Sequence, residues 1–329
     1  MLIGGYYFFK LRCTLTNFFM KKLIIAALLT VVLVIACSYI FIPSVITINT
    51  TGAFNMPSKR VFKFLGNEKE WMKWWPGKKG ITDFSFEHKN TSFTITEKLY
   101  HSLSLDVLYD ETLIQSSLVL VPVGQDKASL TWQAKLPVGA NPFKRYINYR
   151  KATAIEATMR SITDALENFV NNPTNAYGMK VEQVKVVDTF LLSQKKVFKT
   201  NPSTEQIYEM VYAIKNYLHI HQIKETGYPM LHIEMMGNEQ FETMVAIPID
   251  HEVPNDGPFA FKLMIAGNIL RTEIKGGYER IKQASEELEN YRVEHQKTSP
   301  AIPFEMMITD RLKEKDSSKW VTRLYYPVF

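Results

Sequence analysis

Glu305 lies in Pro303-Phe304-Glu305-Met306-Met307-Ile308-Thr309-Asp310, a strand-like apolar run that carries one early carboxylate. A charge in such a run is costly unless it is paired, protonated or turned toward a cavity. Read on these residues alone, Glu305 is a solvent-facing side chain of an edge strand. Tyr278, Trp320, Tyr325 and Tyr326 are the neighbouring aromatics whose faces could take a cation or an apolar ring. Burial also moves a carboxylate toward working pH, where it could serve as a general base. Ligand binding and hydrolysis are therefore both open at this point.

Other chemistries find no support. His219 and His221 stand two apart on a helical stretch and so point to different faces. His232 and Glu234 share a strand face but lack a third ligand, and no HExxH occurs. His221 and His295 fall at the ends of apolar helix faces, where the helix dipole favours a hydrogen-bonded histidine. No GxSxG, phosphate-loop or dinucleotide glycine pattern is present. We therefore assign no metal ligand and no cofactor. Lys and Arg are scattered over a chain of net charge +6, with no basic run, so no nucleic-acid partner is implied. Hydrophobic content of 46% and charged content of 22% describe a folded protein, and 329 residues suit two domains plus accessories. The two cysteines, Cys13 and Cys37, both precede the folded region.

Leu23 to Ile42 contains no charged residue and is long enough, at a helical rise of about 1.5 Å per residue, to cross the roughly 30 Å hydrocarbon core. Lys10, Arg12, Lys21 and Lys22 before it predict a cytoplasmic N-terminus, with everything from Pro43 outside the bacterial inner membrane. Val34-Ile35-Ala36-Cys37 also resembles a lipoprotein signal, which would leave the chain anchored through Cys37 instead. Met20 is an alternative start. The expected layout is a tail over 1–22, a membrane helix over 23–42, one domain over 43–172 and a second over 173–329.

In the first domain a strand at Ser44–Asn49 leads to a helix from Pro57 to Leu65, with proline tolerated at the first turn. Alternating runs follow at Phe93–Leu99, Leu103–Tyr109, Thr112–Val121 and Ala128–Leu136. A long helix closes the domain with Ile155, Met159, Ile162, Leu166 and Phe169 on one stripe. This order, with Asn55-Met56-Pro57 and Trp71-x-x-Trp74-Trp75-Pro76, resembles the START-like, or polyketide-cyclase-like (SRPBCC), helix-grip family. That resemblance implies an apolar pocket between the long helix and the sheet, with Trp71, Trp74 and Trp75 as its candidate lining or as plain core.

The second domain begins after Asn171-Asn172-Pro173-Thr174-Asn175 and repeats itself. Asn216-Tyr217-x-x-x-His221-Gln222 recurs 74 positions later as Asn290-Tyr291-x-x-x-His295-Gln296, and Ile207 and Pro229 recur as Ile281 and Pro303. Each half reads strand, helix, strand, with strands at Val181–Val187, Leu191–Lys199, Met230–Met235 and Phe241–Ile249 in the first. The second has strands at Phe259–Ile265, Ile269–Lys275, Phe304–Thr309 and Lys319–Pro327. Ser203 is a good N-cap for the first helix. Two such halves predict a pseudo-twofold α+β domain with a ligand cleft between them, in which Glu305 matches Leu231. Val245-Ala246-Ile247-Pro248-Ile249-Asp250, Gly276-Gly277-Tyr278, Pro303-Phe304-Glu305 and Trp320-x-Thr322-x-x-Tyr325-Tyr326-Pro327-Val328 together resemble the GyrI-like family of bacterial effector-binding domains. That resemblance implies a small-molecule pocket for amphipathic or cationic aromatic compounds, with Glu305 as its buried glutamate; its alternatives are a hydrolase with Glu305 as general base beside Tyr278 or Tyr325, and a ligand-sensing regulatory protein without direct DNA binding. Met307 stands where the family usually carries an aromatic, and a methionine suits an adaptable lining.

Overall fold

The computed structural model describes residues 4–186, 190–237 and 239–329, with side chains from Met20 onward except Lys21. Val187, the expected end of one strand, and the side chains of Lys10, Arg12, Cys13 and Lys21 lie outside the described residues. The chain is α+β and forms two compact units. One comprises residues 1–53, 65–121 and 129–166, the other residues 54–64, 122–128 and 167–329. Segments 54–64 and 122–128, which the sequence assigns to the first domain, thus group with the second unit.

The first unit starts with α1 (Gly4–Phe41), a continuous helix whose stretch Lys22–Phe41 is long and apolar enough to cross a membrane. Strand β1 (Val45–Phe54) follows. Next in the chain come α2 (Ser58–Leu65), which up to Phe64 groups with the second unit, and then α3 (Glu68–Trp71), β2 (Lys78–Lys79), β3 (Ser85–His88) and β4 (Thr91–Leu99). The meander continues through β5 (Ser102–Tyr109), β6 (Thr112–Pro122) and β7 (Ala128–Pro137) into α4 (Pro142–Val170). The seven strands make one sheet in the order β1-β7-β6-β5-β4-β3-β2. Strict alternation along β6 turns Ile114, Ser116, Leu118 and Leu120 inward. The α4 stripe Ala152, Ile155, Met159, Ile162 and Leu166 is buried, and Ile162 and Leu166 line one small space with Leu118. The core polar groups are paired: the Trp132 indole donates to Ser116 Oγ, which donates to the Leu105 carbonyl.

Trp71, Trp74 and Trp75 are core side chains in this unit. Trp71 stacks on Trp75 at 5.1 Å and tilts against Phe86 at 4.6 Å. Their indoles donate to backbone, Trp71 to Leu65 and Trp75 to Glu87. Gly77 allows the last approach, since a Cβ there would stand 1.8 Å from the Glu87 carbonyl oxygen. The space lined by the three tryptophans, Trp132 and Leu105 is about 10 Å³, room for one water at most. The helix-grip pocket implied by the resemblance is filled by its own indoles.

The second unit contains α5 (Pro173–Tyr177), β8 (Glu182–Lys185), β9 (Phe190–Phe198), α6 (Thr204–Ile220), β10 (Met230–Met235) and β11 (Phe241–Pro248). It then runs through β12 (Phe259–Leu263), β13 (Asn268–Lys275), α7 (Tyr278–Glu294), β14 (Phe304–Met307) and β15 (Val321–Val328). The eight strands form an antiparallel sheet in the order β12-β9-β11-β10-β14-β15-β13-β8. The two helices start and end 74 positions apart, so the repeat read from sequence is a repeat of structure. Ser203 caps α6 in a capping box with Gln206. His221 and His295 are the C-cap residues of α6 and α7, His221 tilted against Tyr217 and His295 stacked on Tyr291. Under α6 the core gathers Ile207, Val211, Ile214, Leu218, Leu231, Val245, Ile247 and Met307. Arg60, with no exposed surface, brings segment 54–64 into this unit. It ion-pairs with Glu294 at 2.8 Å and Glu287 at 2.9 Å, and its guanidinium lies over the Tyr177 ring.

Candidate functional site

The centre of the second sheet is a short seam. Strands β10 and β14 pair only through Met230 with Met306 and Leu231 with Glu305. Leu231 and Glu305 are the matched positions of the two halves, so the pseudo-twofold sets an aliphatic side chain directly opposite the carboxylate. Alternation gives each strand two faces. Glu305 and Met307 point to the helix side, with Leu324 of β15 paired to Glu305. Phe304 and Met306 point to the other side, where Phe304 stacks on Tyr325 at 5.0 Å and 13°.

After β14 the chain turns sharply, and the turn delivers a partner for Glu305. Asp310 accepts from the backbone N–H of Leu312, and Tyr208 of α6 bridges the turn by donating to the Thr309 carbonyl and accepting from Arg311 N–H. The Arg311 side chain folds back beneath the sheet. Its Nη2 donates to Glu305 Oε2 at 2.6 Å and to Thr322 Oγ1 at 3.0 Å. The guanidinium carbon lies 5.2 Å from the Trp320 ring centre and 5.5 Å from that of Tyr278. Burial opposes the Arg311 charge, but the charge and hydrogen bond of Glu305 outweigh it, so the guanidinium pKa stands above its ordinary value. Arg311 is 3% exposed. The Glu305 side chain keeps 19% of its surface, and among the described residues no group donates to its Oε1.

Glu305 opens onto a cleft of about 610 Å³ between the two halves. Tyr278, Tyr325 and Tyr326 line it with Glu305, joined by Leu231, His232 and Phe304 from the seam. The first residue of each helix meets the other across the cleft, Thr204 Oγ1 to the Tyr278 hydroxyl at 2.7 Å. Gly276 sets Tyr278 in place: its φ of 141° suits glycine, and a Cβ would come within 3.0 Å of Arg280. Burial, and then its hydrogen bond to Glu289, raise the Tyr326 hydroxyl's pKa.

Two of the six ligand-binding candidates stand behind the wall. Met307 is buried in the core under α6, and Trp320 packs edge-on against Tyr278 at 5.3 Å with its indole donating to the Glu314 carbonyl. The glutamate that the resemblance gives as buried is paired here with Arg311 and keeps 19% of its side-chain surface. The Tyr278 hydroxyl shares a hydrogen bond with Thr204 Oγ1, and Glu305 is bound by Arg311. Sequence reading missed Arg311, His232, Phe304 and Thr204. Arg311 directly follows the Thr309-Asp310 pair, but nothing in the spacing shows that the turn reverses it onto Glu305.

A second hollow of about 380 Å³ lies against the other face of the sheet, with Met230, Met244 and Met264 in its wall. It shares Leu231, His232 and Phe304 with the cleft. His232 Nδ1–H donates to the Pro303 carbonyl at 2.8 Å.

No protein-family profile and no curated protein matches the chain. Among solved structures, the C-terminal domain of EcmrR is 15% identical, with 46% of this chain covering 98% of it at a TM-score of 0.40. EcmrR in its complex with DNA is 15% identical, with 58% of this chain against 72% of that one at 0.42. SAV2435 bound to tetraphenylphosphonium is 15% identical, with 46% against 94% at 0.31. At such scores these are neighbours in description, and no property is carried over from them.

Proposed function

We propose that the protein is a membrane-anchored small-molecule-binding protein whose GyrI-like second domain takes an amphipathic aromatic ligand in the cleft at Glu305. The observation that carries this reading is Glu305 itself: one carboxylate oxygen bound to a buried guanidinium, the other free, at the wall of a 610 Å³ tyrosine-lined cleft. A charged group is held there at a desolvation cost, which ligand recognition would justify. The pair is neutral overall, so the cleft suits a ligand that presents an N–H or O–H donor to Oε1 and aromatic surface to the tyrosines. It is less suited to a bare lipophilic cation. The apolar α1 is read as an uncleaved anchor, with the START-like domain and the cleft outside the inner membrane. The START-like domain, with its interior filled, acts in this reading as a spacer.

The test is a binding screen of aromatic amines, amides and alcohols against the full chain. A charge-assisted hydrogen bond contributes about 1.5–3 kcal/mol, so Glu305→Gln should weaken true ligands by about tenfold to a hundredfold. Ligands indifferent to both Glu305→Gln and Tyr278→Ala would bind elsewhere and sink the assignment.

A further inference from the structure

The start of α4 carries an apolar face that does not enter the core. Phe143, Tyr146 and Ile147 are 78%, 56% and 52% exposed and fall on one side of the helix at i, i+3 and i+4. The inward stripe begins only at Ala152. Lys144 and Arg150 are exposed beside that face. Large aromatics exposed together on a helix otherwise packed against a sheet mark a surface that something else covers.

The attachment of this turn says what that is. Arg145, next to Phe143, is buried: its Nε donates to the carbonyl of Ile42 at 2.9 Å and its guanidinium lies over the Tyr39 ring at 4.6 Å. The Tyr39 hydroxyl in turn donates to the Ala140 carbonyl. Tyr39 and Ile42 close the apolar stretch of α1. Two polar links and one stacked pair thus fasten the first turn of α4 to the last turn of that helix. The exposed face therefore lies within two turns of the point where α4 is tied to the end of the apolar stretch of α1. Its aromatics and lysine are of the types enriched where a bilayer meets water.

We propose that the first two turns of α4 are a membrane-seating element, with Phe143, Tyr146 and Ile147 in the headgroup region of an anionic bilayer and Lys144 and Arg150 against its phosphates. The partner is a lipid surface and not a second copy of the chain, because the face is tied to the end of the apolar helix and flanked by cations. This rests on the reading of α1 as an anchor. Where α1 crosses, the links through Arg145 and Tyr39 hold α4 at the same depth as the end of that helix. The seat would fix the first unit against the membrane, leaving it no free swing about Pro43.

The experiment uses the full chain with Cys13 and Cys37 changed to Ser, a single cysteine at Ile147 or Leu33 carrying an environment-sensitive fluorophore. The protein is reconstituted in vesicles of phosphatidylethanolamine and phosphatidylglycerol. We expect the label at 147 to be quenched by headgroup-region spin-labelled lipid and shielded from aqueous iodide, and the label at 33 to be quenched by mid-chain spin label. Lys144→Glu with Arg150→Glu should lower lipid quenching at 147 several-fold and leave position 33 unchanged. Iodide access at 147 with position 33 still in lipid overturns the seat and spares the anchor. Iodide access at 33 overturns both. Shielding of 147 without lipid quenching shows a protein partner and overturns the lipid assignment, and equal quenching in the double variant overturns its anionic character.

Discussion

Glu305 and Arg311 are unequal members of one pair, and the inequality is measurable. Arg311 is almost fully buried, whereas Glu305 borders the cleft. Removing the glutamate strands a buried cation, a loss of about 3–5 kcal/mol; removing the arginine leaves a partly solvated carboxylate, a loss of about 1–3 kcal/mol. Urea unfolding should therefore rank Glu305→Ala as more damaging than Arg311→Met, and the reverse ranking would show that the pair is not buried as described. The orientation of Glu305 was legible because the 74-residue repeat matched it with Leu231, and the two prove to be direct cross-strand partners. Arg311 was illegible for a physical reason. Its contact with Glu305 spans six residues through a turn fixed by Tyr208, and that tyrosine comes from a helix about a hundred positions earlier. Met307 was misread as lining because it shares a strand face with Glu305, while α6 covers its end of the strand.

At the scale of elements, periodicity found every long strand and the two repeat helices α6 and α7, often within two residues, because each packs one clean face. It passed over β2, β3 and α3, which are two to four residues long and hold too little pattern to detect. The entry to α7 is the most sensitive junction near the cleft. Gly276→Ala forces a left-handed, crowded backbone and should cost about 1–3 kcal/mol, with Tyr278 displaced and ligand affinity lowered along with the melting temperature. A full-affinity, fully stable Gly276→Ala would show that Gly276 does not set the cleft. The far end of α7 supplies a pH test. Burial holds His295 below the usual histidine range, with its hydrogen bond to the Tyr291 carbonyl a smaller opposing effect. A depressed pKa means that the unfolded chain takes the proton first. The contribution of His295 is thus present above its unfolded pKa near about 6.5 and lost as pH falls toward the folded value. Melting temperature should decline on acidification through that window, and His295→Gln should flatten the decline. An undiminished decline in the variant would place the titration on another group.

For the whole molecule, the sequence predicted a clean change of domain after Asn172, and the compact units instead interleave. Arg60 shows why no pattern could reveal this: a helical Arg on a short amphipathic segment reads as surface, yet it is enclosed by Glu287, Glu294 and Tyr177. Arg60→Ala leaves two carboxylates facing each other and should cost about 3–5 kcal/mol in the unfolding of the second unit; a neutral effect would mean that segment 54–64 is only loosely held there. The tryptophan cluster was legible as either pocket or core, and packing decides for core, because the indoles close on one another and leave about 10 Å³.

The neutrality of the Glu305–Arg311 pair is tested most directly by two probes of one shape and opposite charge, tetraphenylphosphonium and tetraphenylborate, titrated into the wild-type chain and Arg311→Met with Trp320 fluorescence as the readout. A neutral pair predicts weak discrimination in the wild type and, in the variant, a gain for the cation of about tenfold or more, the size of one exposed charge contact in a low-dielectric wall. Strong preference for the cation in the wild type, unchanged by Arg311→Met, would contradict it.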